Sequence, residues 1–269
     1  MLNAVQLAGY LRRIRFEAAV DATPAVLAAV AAAHARSIAF ENIDAFLGRR
    51  VSLDPEVVYA KLVQSGRGGW CFEQNLLLGA ALRAIGFDVT DLAGRVLWGR
   101  GVDAVTPRTH RALLVRTAGR RWLADVGFGG QSLSGALDLD SGDVQQVGND
   151  RFRLAPLAGS DLLLSVHIRD QWLPMYRFDL QPQLGVDFEA ANFQLCVDPA
   201  SHFTKSLVLS LAALDGRHAL RDRDLVFHQA GGESTRTQLQ AAEVPRVLGE
   251  VFGLQLDPAT EQALRARLG

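Results

Sequence analysis

An α+β fold is predicted from three changes of pattern along the chain. The first third has helical spacing with proline-initiated starts, the middle is a succession of short β-rich runs, and the last third mixes both. Thr23 followed by Pro24 reads as an N-cap with proline at the first helical position, and Val26, Leu27, Val30 and Ala31 follow at helical spacing. Asp54-Pro55 repeats the device and opens a helix that Gly66 can end. A third helix is expected to begin near Cys71 and run through Leu76, Leu77, Leu82 and Ile85 to a stop at Gly86; apolar residues on most of its sides predict burial. Residues 96–98, 112–116, 122–126, 162–168 and 175–178 then read as strands punctuated by Gly, Asp and Pro, as in a small antiparallel barrel or sandwich. Further on, residues 208–211 and 225–228 flank an Asp215-Gly216 turn signal, and 244–252 reads as a helix closed by Gly253.

Composition narrows the function. The chain has 269 residues, 49% apolar and 21% charged, the profile of an ordinary globular protein with ample core. That length suits two or three small domains; with no repeat or linker tract, the breaks near 90 and 195 are soft. A net charge of −1 offers no clustered basic face for nucleic acid. No apolar run approaches the roughly 20 residues of a membrane helix, and the first fifteen residues lack a signal-peptide pattern, so a cytoplasmic, non-membrane protein is expected. Cys71 and Cys196 are the only cysteines and read as free thiols; with no His pair nearby they form no zinc spacing, so no metal is expected.

The most informative stretch is Arg67-Gly68-Gly69-Trp70-Cys71-Phe72-Glu73-Gln74-Asn75. Two glycines allow a tight turn, and the cysteine then lands at a helix N-terminus, where free N–H groups and the macrodipole favour a thiolate and could hold an oxyanion. A buried structural thiol is the bland alternative. The base must come from His34, His110, His167, His202, His218 or His228. Only His110 sits beside a strand whose hairpin partner supplies an acid. A hairpin turning at Ala118-Gly119, with Thr117 opposite Arg120, places Ala112 opposite Asp125 and Gly127 opposite His110. His110 and Asp125 then become diagonal neighbours on one face. A charged residue in that apolar strand is costly unless paired, which favours a nucleophile, base and orienter in the order Cys71, His110, Asp125.

These motifs, with residues 109–115 and Asp125-Val126-Gly127-Phe128-Gly129, closely resemble the arylamine N-acetyltransferase family. Phe40-Glu41-Asn42, residues 175–180 and 187–192, Ser201-His202-Phe203 and Phe252-Gly253 fit as well, so the resemblance spans almost the whole chain. One departure is Cys196-Val197-Asp198-Pro199, where relatives more often carry a small hydroxyl residue. The resemblance implies a helical bundle over 1–90 carrying Cys71, an antiparallel β-barrel over 91–195 carrying His110 and Asp125, and an α/β lid over 196–269, around a cysteine-protease-like catalytic core. It also implies acetyl-CoA as donor, an acetylated Cys71, and aromatic amines or hydrazines as acceptors. Phe40, Phe72, Phe128 and Phe203 are candidates for an apolar wall that excludes water and holds a ring, with core packing as their plain alternative. Gly127 and Gly129, with bare N–H groups, are expected together with Thr109 to contact CoA. A homo-oligomer is compatible with the chain. Competing readings are an amide synthase of polyketide assembly, a cysteine hydrolase or transglutaminase-type enzyme, and a binding module in which Cys71 is inert.

Overall fold

The computed structural model describes residues 1–269. Asn3 caps α1 (Ala4–Arg13) in a reciprocal pair with Gln6, and Thr23 caps α2 (Pro24–Ser37) through the Val26 N–H. The short strand β1 (Phe40–Glu41) and α3 (Ile43–Phe46) follow. Asp54 caps α4 (Pro55–Tyr59), whose continuation widens into a π-helix over Ala60–Gln64 before Gly66 turns the chain with positive φ. Then comes α5 (Cys71–Ile85), ended by Gly86 at φ +111°. It is buried through Leu82 because α1, α2 and α4 pack on it from one side and a sheet from the other.

That sheet is antiparallel and contains β2 (Asp88–Val96), β3 (Arg108–Thr117), β4 (Arg120–Ala124), β5 (Ala136–Asp138), β6 (Gln145–Val147), β7 (Asp150–Pro156), β8 (Leu162–Ile168) and β9 (Gln171–Phe178). Its order is β5-β4-β3-β2-β9-β8-β7-β6. The two edges meet through Gln145, which accepts from the Asp138 N–H at 2.8 Å and donates to the Asp138 carbonyl at 2.9 Å, so the sheet nearly closes into a barrel. Ala112 and Leu114 point into its interior with Leu92, Phe152 and Tyr176, while Leu113 and Val115 on the other face join the core beneath α5. The barrel expectation holds, and the sandwich alternative falls.

Beyond α6 (Glu189–Val197) and α7 (His202–Lys205), a second antiparallel sheet runs β1-β10-β11-β12-β13, with β10 (Val208–Ala213), β11 (Gly216–Arg221), β12 (Asp224–Gln229) and β13 (Ser234–Gln238). The helices α8 (Val244–Glu250) and α9 (Pro258–Leu268) contribute Val247, Leu248 and Leu264 to its core. Phe40 pairs with Ser210, so a strand from the helical third forms one edge of this sheet.

Several sequence-based boundaries change. Strand β2 covers Asp88–Val96 rather than 96–98. Its alternation is masked by Asp91, an acid held between Arg83 at 2.6 Å and Arg111 at 2.9 Å. The Asp215-Gly216 turn joins β10 to β11 and not to residues 225–228; β11 carries two cationic residues and β13 is exposed throughout, so neither announces itself by an apolar face. The helix expected over 244–252 ends at Glu250. The α1, α6, α7 and α9 helices carried too weak a signal to be read individually.

A substitution at Gly86 isolates the cost of stopping α5. A Cβ there would meet nothing within 4 Å, so only the backbone resists. Gly86→Ala should lose at least about 1 kcal/mol, read as a lower urea midpoint at unchanged slope.

Candidate active site

Four elements build the site. Cys71 is the first residue of α5, with Trp70 extended before it, so the N–H groups of the first turn lack intrahelical acceptors. Glu73 reaches back to accept from the Trp70 N–H at 3.1 Å. The approach to the cysteine is held by a string of buried and half-buried charges. Glu73 meets Lys61 at 2.8 Å, Lys61 meets Asp44 at 2.7 Å, and Arg67 bridges Asp44 at 3.3 Å and Glu41 at 2.7 Å. Burial pushes the Glu73 carboxyl up to about 7 against the pull of Lys61.

A second network lies behind the same loop. Gln74 donates to the carbonyls of Ala39 at 2.8 Å and Gly69 at 3.1 Å. Its carbonyl oxygen therefore faces His34 Nε2 at 2.5 Å, which makes that nitrogen the donor and leaves Nδ1 to accept from the Tyr10 hydroxyl at 2.9 Å. Burial pushes His34 down to about 4, so this imidazole stays neutral.

The hairpin β3–β4 pairs Thr117 with Arg120 and Leu113 with Ala124, the register expected from the turn. The strand stops at Ala124, and Asp125 opens the following turn. His110 Nε2 lies 2.7 Å from Asp125 Oδ2, with the two side chains 2% and 0% exposed. No other histidine meets a carboxylate. With Nε2 so engaged, Nδ1 remains for Cys71, whose thiol also points at the Thr109 carbonyl, 3.7 Å away. Burial alone would lower the imidazole's pKa; the Asp125 carboxylate, helped by Cys71, reverses this and pushes it up to about 10. Burial likewise opposes the charge on Asp125, but His110, Asn75 and the Gly127 N–H together hold its carboxyl below the usual range.

Gly127 sits where a Cβ would lie 2.6 Å from Cys71 Cα, so its missing side chain lets the Asp125 turn close on the start of α5. Its N–H donates to Asp125 Oδ1 at 3.0 Å, which corrects the expectation that this group is bare for CoA. Gly129 has positive φ and packs on the ring of Phe40. Phe128 stands edge-on to His110 at 5.2 Å between ring centroids and meets Trp98 at 6.1 Å. Phe203 lies 6.1 Å from Phe40 and 5.3 Å from Trp70. Phe72 has no exposed surface and packs between Trp70 and Phe188, the core role that was its plain alternative. A pocket between the two sheets is lined by Phe40, Val126, Gly129, Gly130, Ser210 and Arg217, and stops short of Cys71 and His110.

Two side chains join the site that its motifs did not assign. Asn75, fully buried, donates to Asp125 Oδ1 at 2.8 Å. Tyr176 lies 4.7 Å from the His110 ring between centroids, tilted by 47°; burial and the nearby Asp125 carboxylate push its phenol well up, although the hydroxyl makes no hydrogen bond of normal geometry. Asn75 closes the cysteine motif one helical turn after Cys71, a spacing that could have flagged it. No group of three His, Cys, Asp or Glu side chains is arranged to hold a metal ion, and no helix is long and apolar enough to cross a membrane.

Comparison with known proteins places this geometry in company. Residues 24–261 match a family model described as N-acetyltransferase. The chain is 39% identical over 269 residues to an arylamine N-acetyltransferase of Mycolicibacterium smegmatis, covering 98% of each. Among solved structures it resembles the Mycobacterium marinum arylamine N-acetyltransferase in complex with CoA, at TM-score 0.92 and 37% identity over 97% of this chain and 98% of that one. It also resembles the Salmonella typhimurium enzyme, at TM-score 0.94 and 33% identity over 100% and 99%.

The charge on His110 has a consequence for stability. An imidazole whose pKa rises from 6.5 unfolded to about 10 folded stabilises the fold fully below about pH 6.5, and that contribution is lost as the pH climbs through about 10. The melting-temperature advantage of the parent over His110→Gln should therefore shrink across that alkaline range. An advantage independent of pH would mean that the imidazole is neutral.

Proposed function

The chain belongs to the arylamine N-acetyltransferase family and is an enzyme of that kind, and from this premise we propose that it acetylates aromatic amines and hydrazines through an acetyl-Cys71 intermediate. The observation that carries the reading is the 2.7 Å pair of His110 and Asp125 beside a cysteine at a helix N-terminus. An imidazole that holds its proton up to about 10 stands opposite Cys71 as an imidazolium, the partner that a thiolate nucleophile requires.

The thiolate adds to the carbonyl carbon of acetyl-CoA, and the oxyanion settles toward the N–H groups at the start of α5. The bond from that carbon to the CoA sulfur breaks, and the proton on His110 Nδ1 goes to the departing thiolate. Acetylation removes the negative sulfur beside His110, leaving a neutral imidazole. An amine then attacks the thioester, His110 takes its proton, and Cys71 leaves as a thiolate. An aromatic amine is neutral near pH 7 and matches an apolar wall of Phe40, Phe128 and Phe203, whereas a protonated alkylamine must first shed a proton and its hydration. Phe72 supports this wall from the core. The Thr109 and Gly129 region is assigned to CoA, and Gly127 acts through its missing side chain.

The same proposal takes the helical bundle, barrel and lid as domains over 1–90, 91–195 and 196–269, with the triad as a cysteine-protease-like core. Residence in the cytoplasm is part of it.

Mass spectrometry after mixing with acetyl-CoA alone should find an acetyl adduct on Cys71 that vanishes when an aniline is added, and initial rates should give parallel double-reciprocal lines. An adduct that decays to acetate equally fast without amine would instead assign a hydrolase. Transfer only within one polyketide substrate would assign an amide synthase. Asp125→Asn should lower turnover per folded molecule by several orders of magnitude, by analogy with the roughly 10⁴-fold loss seen when a triad aspartate becomes asparagine. Near-normal turnover in a merely destabilised variant would make Asp125 structural.

A further inference from the structure

Along α5, Cys71, Asn75 and Gly79 follow at four-residue intervals, so they form one row, and that row faces the β3–β4 hairpin. Gly79 leaves room for Leu113, with 3.3 Å from a would-be Cβ to Leu113 Cδ2. Asn75 spends both amide donors and its carbonyl oxygen across the gap. It donates to the Arg111 carbonyl at 2.6 Å and to Asp125 Oδ1 at 2.8 Å, and it accepts from the Val126 N–H at 3.1 Å. The carbonyl belongs to the residue after His110, and the other two partners are the orienting acid and its neighbour. One carboxamide thus ties the helix that carries the thiol to the strand that carries the base and to the turn that carries its acid.

We infer that Asn75 is a positioning residue that sets the distance between Cys71 and His110 and fixes the Asp125 carboxylate in the rotamer that holds the base. Side-chain geometry selects an amide here. Serine is too short to span three partners, and leucine fills the space but leaves the Arg111 carbonyl and the Val126 N–H buried without partners. An aspartate keeps the acceptor for Val126 yet sets a second carboxylate against Asp125. The inference rests on the acetyl-Cys71 reading, and the experiment separates the two.

Alkylation of Cys71 by iodoacetamide probes the thiolate–imidazolium pair without any acyl chemistry. Misplacing reacting groups by about 1 Å costs on the order of 100-fold, so Asn75→Leu should be alkylated and acetylated 10- to 100-fold more slowly than the parent, with KM for acetyl-CoA changed less than about threefold. Its alkaline limb should also fall by about one pH unit, the worth of one charge-assisted hydrogen bond. Asn75→Asp preserves the shape should the leucine variant not fold. Its rates should fall at about pH 8 and recover toward about pH 6, as a carboxyl crowded by Asp125 regains its proton and with it a donor. A purely structural asparagine would not produce that inverted profile. Alkylation rates and pH limbs in the folded variants matching the parent would overturn the inference. A parent that alkylates normally but never forms an acetyl adduct would overturn the acetyl-enzyme reading and leave the positioning test intact.

Discussion

The site depends on the burial of one charge. Asp125 has no exposed surface, and a carboxylate without water is tolerated only if every lone pair that matters finds a donor. Three groups from three places supply them: His110 from β3, Asn75 from α5 and the Gly127 N–H from the turn itself. Each donor fixes an element. The hairpin is registered by the histidine, the helix is drawn in by the asparagine, and the turn is wound tightly by the glycine. The Leu133 N–H closes that loop on the Asp125 carbonyl at 2.9 Å. The imidazolium exists because this carboxylate does, so catalytic chemistry and local architecture share one cause.

The cysteine side of the site is organised by similar means with opposite emphasis. Glu73, Lys61, Asp44, Arg67 and Glu41, in the order of their contacts, alternate in sign and pin the segment that leads into α5. A string of this kind adds little net stability, because desolvation consumes much of the Coulombic gain, but removing one member would strand the rest. Behind it, neutral His34 and Gln74 tie the carbonyls of Ala39 and Gly69 to α1 and α2 without adding charge near Cys71. The start of α5 is therefore held by ion pairs on one side and by neutral hydrogen bonds on the other.

Aromatic packing joins these two halves to the second sheet. Phe40, proposed above as part of the apolar wall, is also half of a two-residue strand that pairs with β10. Asn42, just after it, donates to the carbonyls of Phe203 and Ser206 at 2.8 Å each. The helical third and the last third thus hydrogen-bond to each other here, and Phe203 packs on Trp70 beside that pairing.

The sequence alone determined the features that rest on local rules. The Thr23-Pro24 and Asp54-Pro55 starts, the span of α5 from Cys71 to Gly86 and the hairpin register at Ala118-Gly119 all follow from capping, periodicity and turn geometry within a few residues. That register was enough to put His110 and Asp125 on one face. Strand β2 stayed hidden because its central acid is satisfied by arginines remote in sequence, and β13 because an exposed edge strand needs no apolar pattern. The Gly127 N–H is not bare, and sequence could not show this, since an N–H reads the same whether it awaits a ligand or an aspartate two residues away. Only the tertiary structure brought Asn75 against β3 and the Asp125 turn, set Tyr176 beside the imidazole and sent Phe72 into the core. Hydrogen bonds and stacking between residues tens of positions apart depend on where whole elements pack, and no local pattern encodes that distance.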